Sequence, residues 1–296
     1  MALFGAHISI AGGLYKAWER ANDLGCEAMQ IFPQSSRTWA IPEIVEEEVE
    51  LFQAERKKFP TVRSVVAHNS YLLNLSTNEE ATRKKSVAYF IRTMERCEAF
   101  GLDCLITHPG SHLGSGEESG VRKTSESLNE VLKATKGFRT QVTLENTAGQ
   151  GGCVGHSFRQ LKGILDGTSD PDRISFCFDT QHAFAAGYDL RTREAYEATF
   201  SEWEKLIGTK KIIAFLLNDA LKEFATRVDR HQNIGMGFLG KDPFQFLGQD
   251  SRFEKIPMCL ETDPGEDCQN YRREIKLLKS LSTRNSSRKS STRGIN

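Results

Sequence analysis

Short apolar runs punctuate the chain at nearly even intervals. Five of them, at 64–68, 104–108, 142–145, 176–179 and 258–261, end on His68, His108, Glu145, Asp179 and Glu261. Successive ends lie 40, 37, 34 and 82 residues apart, and the last gap holds one further run, 212–217, followed by Asn218 and Asp219. Two more runs, 3–8 and 27–32, come before these. The intervening segments at 14–24, 41–58, 77–100, 118–136, 157–165, 193–207, 242–247 and 267–281 have helical periodicity and composition. Strict alternation of strands and helices predicts an α/β fold of parallel strands, either a closed barrel or an open doubly wound sheet.

Two features favour a single-domain TIM (β/α)8 barrel over residues 1–281. Neither Gly5-Ala6-His7 nor Ala11-Gly12-Gly13 makes the glycine-rich phosphate loop that an open nucleotide-binding sheet carries after its first strand. Polar side chains also end strands all along the chain, which suits a ring whose strand ends all face one axis. The length of 296 residues agrees, since such barrels run to about 250 residues as one unit. The segment 282–296 carries four positive and no negative charges. Its composition predicts a disordered basic tail, with contact to phosphates as the alternative.

Composition excludes several classes. The longest clean apolar run, 212–217, is far below the roughly 20 residues a membrane helix needs. The first residues lack a basic leader and read as a strand rather than a signal peptide. Seven cysteines, an odd number without a C-x-x-C pair, read as buried thiols of a reducing compartment, so a cytoplasmic location is expected. Formal charge is zero, 39 basic against 39 acidic residues, so no global field points to nucleic acid. Nothing demands a partner chain, and a monomer is expected.

The candidate chemistry lies at the strand ends. Six of seven histidines, His7, His68, His108, His112, His182 and His231, fall at or just after one; His156 opens a helix. Asp179 and His182 lie where a strand passes into its loop, and Asp229 and His231, two apart, point the same way in extended backbone. Taken singly, such residues are usually hydrogen-bonded loop or capping groups. Together, His68, His108, Glu145, Asp179, His182, Asp229, His231 and Glu261 put four carboxylates at one mouth, where they would repel without cations between them. Imidazole with carboxylate suits catalytic zinc, manganese or iron. Eight ligands exceed one ion's needs, so a cluster of two or three ions is expected, of the kind that clamps a phosphoryl centre.

The motifs Phe4-Gly-Ala-His7, His68-Asn-Ser-Tyr71, His108-Pro-Gly-Ser-His112, Leu144-Glu145-Asn-Thr-Ala-Gly-Gln-Gly151, Asp179-Thr-Gln-His182, Asp229-Arg-His231 and Leu260-Glu261-Thr262 follow one another in an order and spacing that closely resembles the endonuclease IV family. The resemblance covers residues 3–281. It implies a TIM barrel with up to three Zn2+ ions that hydrolyses the phosphodiester 5′ to abasic sites in double-stranded DNA, by in-line attack of a metal-activated hydroxide. By the same resemblance His68, His108 and Glu145 hold one ion, Glu145 bridges to a second held by Asp179 and Glu261, and His182, Asp229 and His231 hold a third. Glu145 and Glu261 are the implied catalytic carboxylates. Arg37 and Tyr71 stand where the family inserts side chains into DNA, while Trp39 is expected to pack on the rim.

One departure from the family pattern bears on the metals. Leu216 stands where the family has a ligating histidine, and Gln181, Leu221, Ala225 and Met236 replace a Cys, a Lys, a Gly and a Glu. The second site then keeps only Glu145, Asp179 and Glu261. Three outcomes follow: an oxygen-only site that prefers Mn2+ or Mg2+, a substitute ligand such as Asn218, or a weakened enzyme that binds abasic DNA. A metal-dependent sugar isomerase on the same fold is the other alternative; its usual two metals fit eight ligands less well.

Overall fold

The computed structural model describes residues 2–283, so the basic tail from residue 284 onward lies outside the described residues. The strands are β1 (Leu3–His7), β2 (Ala28–Ile31), β3 (Ser64–His68), β4 (Cys104–Thr107), β5 (Gln141–Glu145), β6 (Ile174–Asp179), β7 (Ile212–Leu217), β8 (Asp219–Ala220), β9 (His231–Gln232) and β10 (Pro257–Leu260). Eight of them close into a parallel barrel in the order β1-β10-β7-β6-β5-β4-β3-β2. The two-residue strands β8 and β9 form a separate antiparallel pair above it. The expected barrel is therefore present, and the open sheet is not.

The helices are α1 (Lys16–Asp23), α2 (Glu46–Lys58), α3 (Glu80–Ala99), α4 (Glu117–Ala134), α5 (Phe158–Asp166), α6 (Thr180–Ala186), α7 (Arg193–Leu206), α8 (Asp242–Gln249) and α9 (Gln269–Ser282). Eight match the segments expected between strands. The additional one, α6, replaces the loop expected after Asp179. Its signals are local: the Asp179 side chain caps it by accepting from the His182 N–H at 2.8 Å, and Gly187 ends it at φ +106°. No helix of the described residues is long and apolar enough to cross a membrane.

Alternation along the strands divides the core in two. Phe4, Met29, Val65, Leu105, Leu144, Phe178, Phe215 and Met258 face outward and join the helix residues Trp18, Phe52, Phe90 and Trp203 in the main cluster. Leu3, Ala28, Val66, Cys104, Ile106, Cys177, Ala214, Leu216 and Cys259 form a second cluster that fills the barrel interior. Three cysteines of the apolar runs are thus small interior hydrophobes, and all seven cysteines are unbridged thiols. Gly5 shares that inward face because nothing larger fits: a Cβ there would lie 1.8 Å from the Ala28 carbonyl oxygen. Further along the same inward faces, at the carboxyl ends of the strands, stand His7, Gln30, His68, His108, Glu145, Asp179, Asn218 and Glu261. Period-two geometry makes these the uppermost inward layer.

Candidate metal centre

The buried carboxylate of Glu145, at the end of β5, is the hub. Its Oε2 lies 3.0 Å from His68 Nε2, and its Oε1 lies 3.2 Å from His108 Nε2 and 2.9 Å from His182 Nδ1. From α6, His182 reaches Asp229 Oδ2 with Nε2 at 3.3 Å, and His231 Nε2 lies 3.5 Å from Asp229 Oδ1 and 3.9 Å from Asp179 Oδ2. Donor atoms of His68, His108 and Glu145 lie within 4.8 Å of one another, and so do those of Asp179, His182 and His231. The first trio is the expected one. The second pairs the two histidines with Asp179, with Asp229 in contact with both.

Neighbouring groups aim these ligands. Backbone carbonyls of Asn69 and Asn146 can only accept, so His68 Nδ1 (2.7 Å) and His182 Nδ1 (2.9 Å) carry protons, and each Nε2 is the nitrogen that can ligate a cation once it is deprotonated. Asn218 Nδ2 donates to Asp179 Oδ2 at 2.7 Å, while its Oδ1 accepts from the Glu261 N–H at 3.2 Å. Gln30 Nε2 donates to Glu261 Oε1 at 2.6 Å, and Asn146 Oδ1 accepts from the Asp179 N–H. Gln30 was not singled out from sequence, although its signal was available: it is a polar residue at an inward position of an otherwise apolar strand.

The donor set fits cations. Glu145 Oε1 and His231 Nε2 are buried without an aligned hydrogen-bond partner, a cost of about 1–3 kcal/mol per group that a bound ion would remove. Burial alone would raise the Glu145 pKa, yet His108, His182 and His68 hold it well below the ordinary range. Burial would lower His182, yet the Asp179 charge and the Asp229 contact raise it well above the usual imidazole value; His68 is likewise raised, by Glu145. Glu261 is pushed up by burial and by the Glu145 charge.

These directions give a pH dependence. Without metal, the raised histidines stabilise the fold fully below an unfolded value of about 6.5, and this contribution is lost as pH climbs through their folded values. Depressed Glu145 acts oppositely, stabilising above about pH 4.3 and losing its contribution as pH falls. Metal binding needs neutral imidazoles. The rise in Tm on adding Zn2+ is therefore expected to grow from about pH 6 to about pH 8; a rise that shrinks over this interval would contradict the network described.

Leu216 is fully buried in the barrel interior, paired in register with Asp179 on one side and Cys259 on the other. It therefore faces the centre and offers no donor. Asn218, two residues further, faces the same way, but both ends of its amide engage Asp179 and Glu261. The other departures lie apart: Gln181 donates to the Val228 carbonyl, Ala225 takes φ +60°, where a glycine meets no strain, and Leu221 and Met236 are exposed.

A groove of about 610 Å³ opens beside the centre, bordered by His7, Ser9, Arg37, Tyr71, His231 and Glu261. The loop carrying Arg37 is fixed to α3: Gln34 donates to Thr93 Oγ1 at 2.9 Å, and Arg96 Nε to the Pro33 carbonyl at 2.9 Å. Trp39 packs edge-on against Tyr89 of α3 at 5.6 Å. Tyr71 stands on the edge of Phe32 at 5.5 Å and is 67% exposed, a large ring presented to solvent at the rim.

A family described as Xylose isomerase-like TIM barrel matches residues 18–281. Probable endonuclease 4 of Geobacter sulfurreducens is 46% identical over 263 residues, 89% of this chain and 88% of that protein. Probable endonuclease 4 of Chloroflexus aggregans is 41% identical over 95% of this chain and 98% of that protein. The chain belongs to the endonuclease IV family. The solved structure of endonuclease IV from Thermus thermophilus agrees, with TM-score 0.82 and 31% identity over 94% of this chain and 99% of that one. A D-tagatose 3-epimerase-like protein has TM-score 0.72 at 17% identity, which carries the barrel only and lends no weight to sugar isomerisation. The chain is thus an enzyme of the endonuclease IV type.

Proposed function

We propose that this endonuclease IV homologue is a metal-dependent repair enzyme that hydrolyses the phosphodiester 5′ to abasic sites in duplex DNA, acting as a monomer in the cytoplasm. The observation that carries this reading is the convergence of four histidines and four carboxylates on one barrel mouth, beside a groove rimmed by Arg37 and Tyr71. His68 and His108 with Glu145 would hold one Zn2+, and His182 and His231 with Asp229 another. Glu145, Asp179 and Glu261 would hold a third ion between them. Bound ions would supply Lewis-acid stabilisation of the phosphoryl and leaving oxygens and lower the pKa of the attacking water.

The remaining work belongs to side chains. Glu145 would serve more than one ion: its carboxylate meets His68 and His108 of one trio and His182 of the other. Asn218 and Gln30 hold Asp179 and Glu261 in fixed orientation, so little reorganisation accompanies the reaction. Arg37 would engage the strand beside the lesion, and Tyr71 would fill the space of the extruded nucleotide; a site without a base has little stacking to break. Arg37→Ala is expected to weaken binding and lower the salt slope by about 1; an unchanged slope would remove Arg37 from the interface.

The test is incision of a duplex containing one abasic site, after EDTA treatment and metal add-back. Incision on the 5′ side, lost with EDTA and restored by Zn2+ or Mn2+, is expected; no incision by the metal-loaded protein would refute the reading. Leu216 removes the imidazole from the ion held by Glu145, Asp179 and Glu261, so that position would take Mn2+ or Mg2+ more readily than Zn2+. Metal analysis of wild type and Leu216→His, grown with both metals, is expected to give mixed loading in the former and more zinc in the latter. Identical metal content in the two would refute the oxygen-only site.

A further inference from the structure

We propose that His7 is a substrate-binding residue, donating or accepting a hydrogen bond with an oxygen of the base-less nucleotide in the groove beside the metal centre. This inference rests on the function proposed above. Three observations carry it. His7 is the last residue of β1 and belongs to the same uppermost inward layer as His68 and Glu145. It borders the 610 Å³ groove together with Arg37, Tyr71 and Glu261. Neither of its ring nitrogens has a hydrogen-bond partner among the described residues, whereas His68, His112, His156 and His182 each have one through Nδ1.

The half-buried ring lines the groove with no hydrogen-bond partner from the described residues, so its nitrogens are left to whatever occupies the groove. The ring stands apart from the proposed metal set: it lies tilted against Phe32, with ring centroids 4.6 Å apart, and among the described residues no ion pair joins it to a carboxylate, as one joins His68 to Glu145. A neutral imidazole offers one N–H and one lone pair. That pairing suits an oxygen ligand of either kind found on a base-less nucleotide, the C1′ hydroxyl or a phosphate oxygen. Arg37 borders the same groove and brings a positive charge, so His7 adds direction to a site where Arg37 adds charge.

Two substrates separate the sources of that oxygen. One duplex carries a natural abasic site; the other carries a tetrahydrofuran analogue, which lacks the C1′ hydroxyl. His7→Ala is expected to lower kcat/KM about tenfold on the natural site, with unchanged Tm and metal content. A loss confined to the natural site assigns the hydroxyl, and an equal loss on both assigns a phosphate oxygen. His7→Asn is expected to recover most of the activity, because its amide places an N–H near the position of Nδ1.

Unchanged kcat/KM on both duplexes would overturn the inference. So would a loss accompanied by depleted metal, which would mean that His7 acts through the centre, or a loss that His7→Asn leaves unrepaired. Wild-type protein that incises neither duplex would instead refute the proposed function itself, a result read before any variant is made.

Discussion

Glu145→Gln is expected to lower kcat/KM for abasic-site incision by about a thousandfold or more, the scale of removing a main electrostatic group from a hydrolytic centre. The substitution is nearly isosteric, so packing around β5 is kept. It removes the one negative charge that faces His68, His108 and His182 together. Two consequences should be separable. Metal content falls, because a neutral amide is a poor bridging ligand. The metal-free protein also loses the pairing that raises His68, so the His68 pKa, followed by NMR, is expected to drop toward or below about 6.5. Retained metal and activity in Glu145→Gln would remove Glu145 from the centre altogether.

Asn218→Leu is the second large effect, with activity or metal affinity expected to fall about 10- to 100-fold, the usual range for residues that orient ligands. Asn218 ligates nothing in the proposed scheme. Its amide instead fixes Asp179 through Nδ2 and the Glu261 backbone through Oδ1, so one residue holds two ligands from strands on either side of β7. Leucine preserves the volume and removes both hydrogen bonds. The expected signature is weaker metal binding in a chelator titration, with kcat restored at saturating metal. A kcat that stays low at full metal occupancy would mean that Asn218 itself meets the substrate.

Much of this centre was legible in the chain. Short apolar runs whose ends lie 40, 37, 34 and 82 residues apart, with helical segments between them, predict parallel strands and place each terminal residue at the same end of the sheet. His68, His108, Glu145, Asp179 and Glu261 are therefore readable as a group before any coordinates exist. The helix after Asp179 was legible in principle from its aspartate cap and closing glycine. At seven residues it is too short for periodicity to reveal. Gln30 leaves a signal too, a single polar residue in an apolar strand, but that signal gains meaning only once the strand's inward face is known.

Other properties were decided by tertiary structure alone. Sequence marks His7 and His68 alike as strand-terminal histidines, but only packing shows that His68 meets Glu145 at 3.0 Å while, among the described residues, no ion pair joins His7 to a carboxylate. Whether Asn218 could replace the missing imidazole also depended on direction: it faces inward with Leu216, yet its amide is committed to Asp179 and Glu261. The physical reason is the same in both cases. Alternation and spacing are local properties of a strand and determine which face a side chain takes. Which atoms meet across a barrel depends on the stagger of eight strands closed on one another, and no one segment encodes that.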